Sequence, residues 1–178
     1  FLSACTQTAS TKKDVDLGVQ YFDANGNPIG SQFAVIGGVS GVRYLKFSVL
    51  VINKGDIPID VAIISASPSV FLQALPMNTP VNVGIGQSVN IDSDLIDILP
   101  FTGTTTTFSV RVSEKFTCPQ GNECILTDGS KVVAGQTKEV FQEASKAIQI
   151  DYETLNVDTQ IEIVSEATQV VSPVTTTT

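Results

Sequence analysis

The chain has no histidine and no tryptophan. Without imidazole, the Ser-His-Asp and Cys-His catalytic arrangements are excluded, and so is every zinc site that needs a histidine ligand. Charge is also scarce: Asp, Glu, Lys and Arg make up 16% of the residues, where about a quarter is usual. The 10 Lys and Arg face 18 Asp and Glu, for a net charge of −8. An acidic surface repels phosphate backbones, so no nucleic-acid partner is expected. No apolar run approaches the roughly 18 residues of a membrane helix, so no membrane insertion is expected. The densest stretch, around Leu45 and Phe47, is broken by Lys46 and Ser48.

Other catalytic signatures are missing too. Neither Ser-x-x-Lys nor Gly-x-Ser-x-Gly occurs. The run Gly37-Gly38-Val39-Ser40-Gly41 lacks the Lys-Ser/Thr of a phosphate loop and reads as a turn. Two acidic patterns offer carboxylate and amide oxygens of the kind that bind calcium, Asp92-x-Asp94-x-x-Asp97 and Asp23-x-Asn25-x-Asn27. The second has no Glu at the twelfth position, and both are read as polar strand edges or turns. The expectation is a protein that is not an enzyme, with no cofactor and no metal site.

What remains is a chain of 178 residues, 42% of them hydrophobic. That is enough to bury a core and is suited to a single domain. The dominant pattern is alternation with period two, the signature of half-buried strands. Val15, Leu17, Val19 and Tyr21 alternate with polar residues. Asn25-Gly26 then marks a hairpin, because both residues tolerate positive φ, and 29–36 reads as the returning strand. Leu45, Phe47, Val49 and Val51 share one face of a strand over 44–53. Further strands are expected from Pro58 to Ile64, over 81–85, over 89–99, over 104–112 with Phe108, Val110 and Val112 on one face, over 148–152 and over 159–171. One short helix is expected over 137–147, where Val140 and Ala144 lie four apart. Short strands with turns about every ten residues fit an all-β jelly-roll or Ig-like sandwich, with at most one short helix.

The three cysteines are Cys5, Cys118 and Cys124. Cys118 and Cys124 bracket Pro119-Gln120-Gly121-Asn122-Glu123, a turn-forming stretch that can bring them together as a disulfide. Such a bond implies an oxidising compartment and a secreted, cell-surface or extracellular protein. The chain starts at Phe1 instead of Met, as a processed or partial sequence would. Leu2-Ser3-Ala4-Cys5 fits a bacterial lipobox in which Cys5 carries the lipid. The expected organisation is an N-terminal arm over 1–13, a sandwich over 14–169 and a Thr-rich tail over 170–178. An arm can complete its own sheet or be lent to a neighbour by β-strand addition. Phe1, Leu2, Ser3, Ala4, Cys5 and Thr6 are the candidate donor strand.

Three segments carry a family resemblance. Phe1-Leu2-Ser3 with the Thr-rich stretch to Ser10, followed by Asp16-Leu17-Gly18-Val19, is similar to the mature start of TasA/camelysin-type secreted proteins. Phe47-Ser48-Val49-Leu50-Val51-Ile52-Asn53-Lys54-Gly55-Asp56-Ile57-Pro58-Ile59-Asp60-Val61 resembles their middle strand-turn-strand. Ile161-Glu162-Ile163-Val164-Ser165-Glu166-Ala167-Thr168-Gln169-Val170 resembles their closing strand. The resemblance, shared with archaeal bundling pilins, implies a jelly-roll subunit that polymerises by N-terminal donor-strand exchange into biofilm-matrix fibres or pili. Its partners would be identical subunits. Cys5 and the Cys118/Cys124 pair depart from that pattern. The metallopeptidase label attached to camelysin-type proteins does not carry over to a chain without histidine. Two other classes stay open at this point: a virion structural protein of the decoration or tail type, and a cell-surface lipoprotein or binding module.

Overall fold

The computed structural model describes residues 9–30, 32–36, 40–41, 44–98, 100 and 104–153. It is mostly β-strand, in chain order β1 (Ala9–Lys12), β2 (Val15–Asp23), β3 (Pro28–Ile29), β4 (Gln32–Ile36), β5 (Ser40–Gly41), β6 (Tyr44–Asn53), β7 (Ile59–Ser67), β8 (Val81–Val83), β9 (Ser88–Asp92), β10 (Ile96–Asp97), β11 (Thr104–Thr117), β12 (Asn122–Ile125), β13 (Lys131–Val132) and β14 (Thr137–Glu153). A 3-10 helix, Ser69–Ala74, follows β7. One sheet runs β10-β6-β2-β3, with β9 also on β6; a second runs β5-β4-β14-β11-β7-β8; a third, small one is β1-β12-β13.

Period-two alternation places the core between the two larger sheets. Val15, Val19, Tyr21, Leu45, Phe47, Val49 and Val51 are buried on the first sheet; Ile59, Val61, Ile63, Phe108, Val110, Val112 and Phe116 are buried on the second. Phe47 and Phe108 meet across the gap with ring centroids 3.9 Å apart. Phe71 of the 3-10 helix packs edge-on against both, at 5.6 and 5.1 Å. Edge-to-face contacts of this kind add about 0.5–1.5 kcal/mol beyond area burial.

Several sequence expectations change. The segment 137–147 is not a helix. It is the first part of β14, paired with β11 from Thr104↔Ile150 to Thr117↔Thr137. Val140, Ala144 and Ile148 are four apart, a spacing that puts residues on one face in a helix and equally in a strand. The long antiparallel partner decides between the two. The strand expected over 29–36 divides: β3 pairs with β2 only at Tyr21↔Ile29 and Phe22↔Pro28, and β4 joins the other sheet, parallel to β14. Pro28 has no N–H to extend the first ladder. The strand expected over 89–99 is broken between β9 and β10. There the Ser93 N–H donates to Phe47 O (2.9 Å) and the Ser93 hydroxyl accepts from Phe47 N (3.0 Å), replacing a ladder pair. The strand expected over 159–171 lies outside the described residues.

The turn after β6 follows its sequence closely. The buried Asn53 side-chain amide donates to Ile57 O (2.7 Å) and Val83 O (3.1 Å), and its carbonyl oxygen accepts from Gly55 N (3.0 Å). This turn clasps the segment joining β1 to β2. Asp56 N donates to Lys12 O and Lys54 N to Asp14 O, each at 2.8 Å. A Cβ on Gly55 would stand 2.4 Å from Lys12 O, so the close approach requires glycine there.

Candidate functional site

The candidate donor residues Phe1, Leu2, Ser3, Ala4, Cys5 and Thr6 lie outside the described residues. From Ala9 onward the expected arm is folded onto the body. β1 pairs parallel with β12, Ala9↔Asn122 through Lys12↔Ile125. Asn122 Nδ2 donates to the Thr11 hydroxyl at 2.8 Å. Cys118 and Cys124 form a disulfide with Cα atoms 5.8 Å apart, which staples β12 to the end of β11. The arm is thus rooted in a cross-linked platform.

Beneath that platform lies the least expected feature of the interior. Lys13 Nζ bonds both carboxylate oxygens of Glu114, at 2.8 and 2.9 Å. The two residues are 4% and 0% exposed. Glu114 occupies an inward position of β11 between Val112 and Phe116, where alternation calls for an apolar side chain. Burial pushes its carboxyl above the ordinary carboxylate range, against the opposing pull of the Lys13 ammonium. Ending the expected strand at Val112 hid this residue; Phe116, two further on in the same alternation, was the signal that the strand continues.

The acidic patterns do not gather. Asp23 accepts from Asn25 N (2.9 Å), Asn27 N (2.8 Å) and Asn27 Nδ2 (3.2 Å), closing its own turn. The Asn27 backbone bond is the main cause that lowers its pKa. Among the described residues, no three His, Cys, Asp or Glu side chains are grouped to hold a metal ion. No described helix is long and apolar enough to cross a membrane.

The prominent surface feature is a pair of open sheet edges on one side of the molecule. β2 pairs with β6 along one edge, and on its other edge β3 covers only Tyr21 and Phe22. β14 pairs with β11 along one edge, and on its other edge β4 covers only residues 149–153. Residues 15–20 of β2 and 137–148 of β14 therefore have no ladder partner on that side among the described strands. The two edges belong to different sheets but lie next to each other. Gln142 Nε2 donates to Val15 O at 3.1 Å, and the Tyr21 hydroxyl donates to Lys146 O at 2.7 Å. Burial of that phenol raises its pKa strongly.

The seam between these edges is an incomplete part of the core. Leu17, Val140 and Ala144 pack against the buried cluster but stay partly exposed. Gln142 Oε1 is buried and has no hydrogen-bond partner. At the foot of the seam a cavity of about 150 Å³ is lined by Lys13, Glu114, Leu126, Val140 and Gln142, among others. An added strand could supply N–H groups to edge carbonyls that have no ladder partner among the described strands, and apolar side chains to the half-covered ones. On the outer face of the second sheet a second depression, of about 330 Å³, lies near Asp60, Ser113, Lys115 and Glu139. There the Ser113 hydroxyl donates to Glu139 at 2.5 Å. No family model matches the chain, and no curated protein matches its sequence.

Proposed function

We propose that this protein is a structural subunit of an extracellular filament, a pilus or biofilm-matrix fibre. Subunits join by β-strand addition, a segment of one chain filling the seam of the next. The observation that carries this reading is the pair of neighbouring open edges on β2 and β14. An exposed edge invites edge-to-edge association unless it is covered, and this one is long, flanked by half-buried apolar residues and backed by an unsatisfied glutamine oxygen. The two facing sheets suit a jelly-roll or Ig-like sandwich, a shape that recurs in such subunits. The Cys118–Cys124 disulfide supports a secreted location. The partners are identical subunits, and the function needs no catalysis and no cofactor.

The test is negative-stain microscopy and light scattering of the protein beside Val140→Lys. The lysine places a charge in the seam without touching the buried Phe47–Phe108 core. Filaments from the unaltered protein and monomers from the variant are the expected result. Filaments of normal appearance from Val140→Lys would remove the seam from the assembly mechanism.

A further inference from the structure

We infer that Lys13 and Gln142 form a self-modification site. The Lys13 amine displaces ammonia from the Gln142 side-chain amide, and the two become joined by an isopeptide bond, with Glu114 carrying the protons. The inference goes beyond the filament reading and does not depend on how subunits meet.

Topology brings the three groups together. Thr11, Lys13 and Val15 are buried while Ser10 and Lys12 are exposed. This alternation turns Lys13 and Val15 to the same interior. Gln142 Nε2 donates to Val15 O at 3.1 Å, two residues from Lys13. On the ladder between β11 and β14, Glu114 stands opposite Val140, and Val112 opposite Gln142. Glu114 and Gln142 are therefore diagonal neighbours on one face, a separation that long side chains span. Lys13 Nζ already touches both Glu114 oxygens, at 2.8 and 2.9 Å. Lys13, Glu114 and Gln142 line one cavity of about 150 Å³. It is the space in which Nζ can turn from the carboxylate to the amide.

The chemistry suits the place. A low-dielectric site favours neutral groups over charged ones. One proton passing from Nζ to Glu114 leaves a free amine and a neutral acid, and burial of Glu114 favours that direction. Gln142 Oε1 is buried with no hydrogen-bond partner. The Glu114 hydroxyl is the donor that can stabilise the negative charge developing there. Nζ then attacks Cδ, and the Cδ–Nε2 bond breaks. Glu114 gives its proton to Nε2 and takes one from Nζ, so ammonia leaves and Nζ keeps one hydrogen. No oxidant or cofactor is required. The reaction ends with a neutral amide and a neutral acid, and so removes a costly buried ion pair. Asp128, which also lines the cavity, is held by Ser130 N at 2.9 Å and the Ser130 hydroxyl at 2.6 Å. Glu114 is the carboxyl that touches the amine. The ion pair is the unreacted state, and its energetics belong to the chain before ammonia is lost.

The experiment incubates the full-length protein below its Tm and follows intact mass, with peptide mapping of the products. The expected result is a growing fraction lighter by one ammonia, yielding a linked pair of peptides that holds Lys13 and Gln142. Its Tm should be higher by roughly 10 °C, as closure of a loop of more than about 100 residues implies. Lys13→Arg keeps a charge opposite Glu114, and Gln142→Met keeps the volume. Both should show the unaltered circular dichroism spectrum and give no linked pair. Glu114→Gln should slow linkage by about a hundredfold or more. Unaltered protein that keeps its full mass would overturn the inference. So would ammonia loss confined to Asn25-Gly26, where a succinimide gives the same mass change without linking peptides. A linked pair that forms equally fast in Glu114→Gln would overturn the role of Glu114.

Discussion

The Lys13–Glu114 pair makes a sharp energetic prediction. Its two charges are almost fully withdrawn from water, and each carboxylate oxygen is bonded by the same ammonium. Removing one partner leaves the other buried and uncompensated, which costs about 3–5 kcal/mol. Replacing both with apolar residues of similar size removes the desolvation penalty along with the attraction, and is neutral or stabilising by up to about 4 kcal/mol. Glu114→Gln should therefore lower stability by roughly 3 kcal/mol at neutral pH, while Lys13→Met combined with Glu114→Leu should match or exceed the unaltered protein. Urea unfolding followed by circular dichroism measures both, with unchanged m-values as the control for compactness. The pH dependence supplies a second check. The Glu114 pKa is raised in the folded state above its ordinary value of 4.5. Between the two values the folded state binds more protons, so this group's contribution is full below about 4.5 and is lost as pH rises through the folded pKa. The stability difference between the unaltered protein and the double variant should widen in the double variant's favour over that rise. A double variant that is as unstable as Glu114→Gln would refute the reasoning, because it would mean that the site depends on the pair and not on the absence of a lone charge.

Two further outcomes follow from the platform. Cys118→Ser with Cys124→Ser opens a small loop and should cost about 2 kcal/mol on the chain-entropy account, read as a lower urea midpoint that added reductant no longer shifts. Gly55→Ala drives a methyl into the Lys12 carbonyl and should cost about 1–3 kcal/mol as backbone crowding. Gly30→Ala, where a Cβ meets nothing within 4 Å, should stay within about 0.5 kcal/mol. Amide exchange at residues 11–13 should accelerate in the first variant and not in the control.

The strands that one-sided alternation defines were legible, and those that depend on a distant partner were not. Tyr44–Asn53 could be read residue by residue because Leu45, Phe47, Val49 and Val51 face a core while Asn53-Lys54-Gly55 ends the run. The disulfide could be read from the turn residues between Cys118 and Cys124. The first part of β14, 137–147, carries a helix-like pattern because the spacing of Val140 and Ala144 belongs to both periods, and only the β11 ladder separates them. Glu114 was invisible as an interior residue because its counter-charge is 101 positions away in sequence. The open seam has no local signature at all. It is defined by where β3 and β4 stop covering their neighbours, a property of topology and not of composition.

The chain enters β2 at Val15 and leaves β14 at Glu153, at opposite ends of two neighbouring strands that run the same way, and this governs how the molecule responds to tension. A pull applied through these two points acts along β2 and β14, parallel to their strands. Ladder hydrogen bonds in antiparallel pairs lie perpendicular to that direction. The β2–β6 and β11–β14 ladders are therefore loaded in shear, with their bonds resisting together, and are not peeled open one at a time. At the pulled end, where a parallel ladder of four residue pairs would be the weakest link, the Cys118–Cys124 bond ties β12 to the longest ladder in the molecule. The fold is built to carry load along its axis and to yield more easily across it.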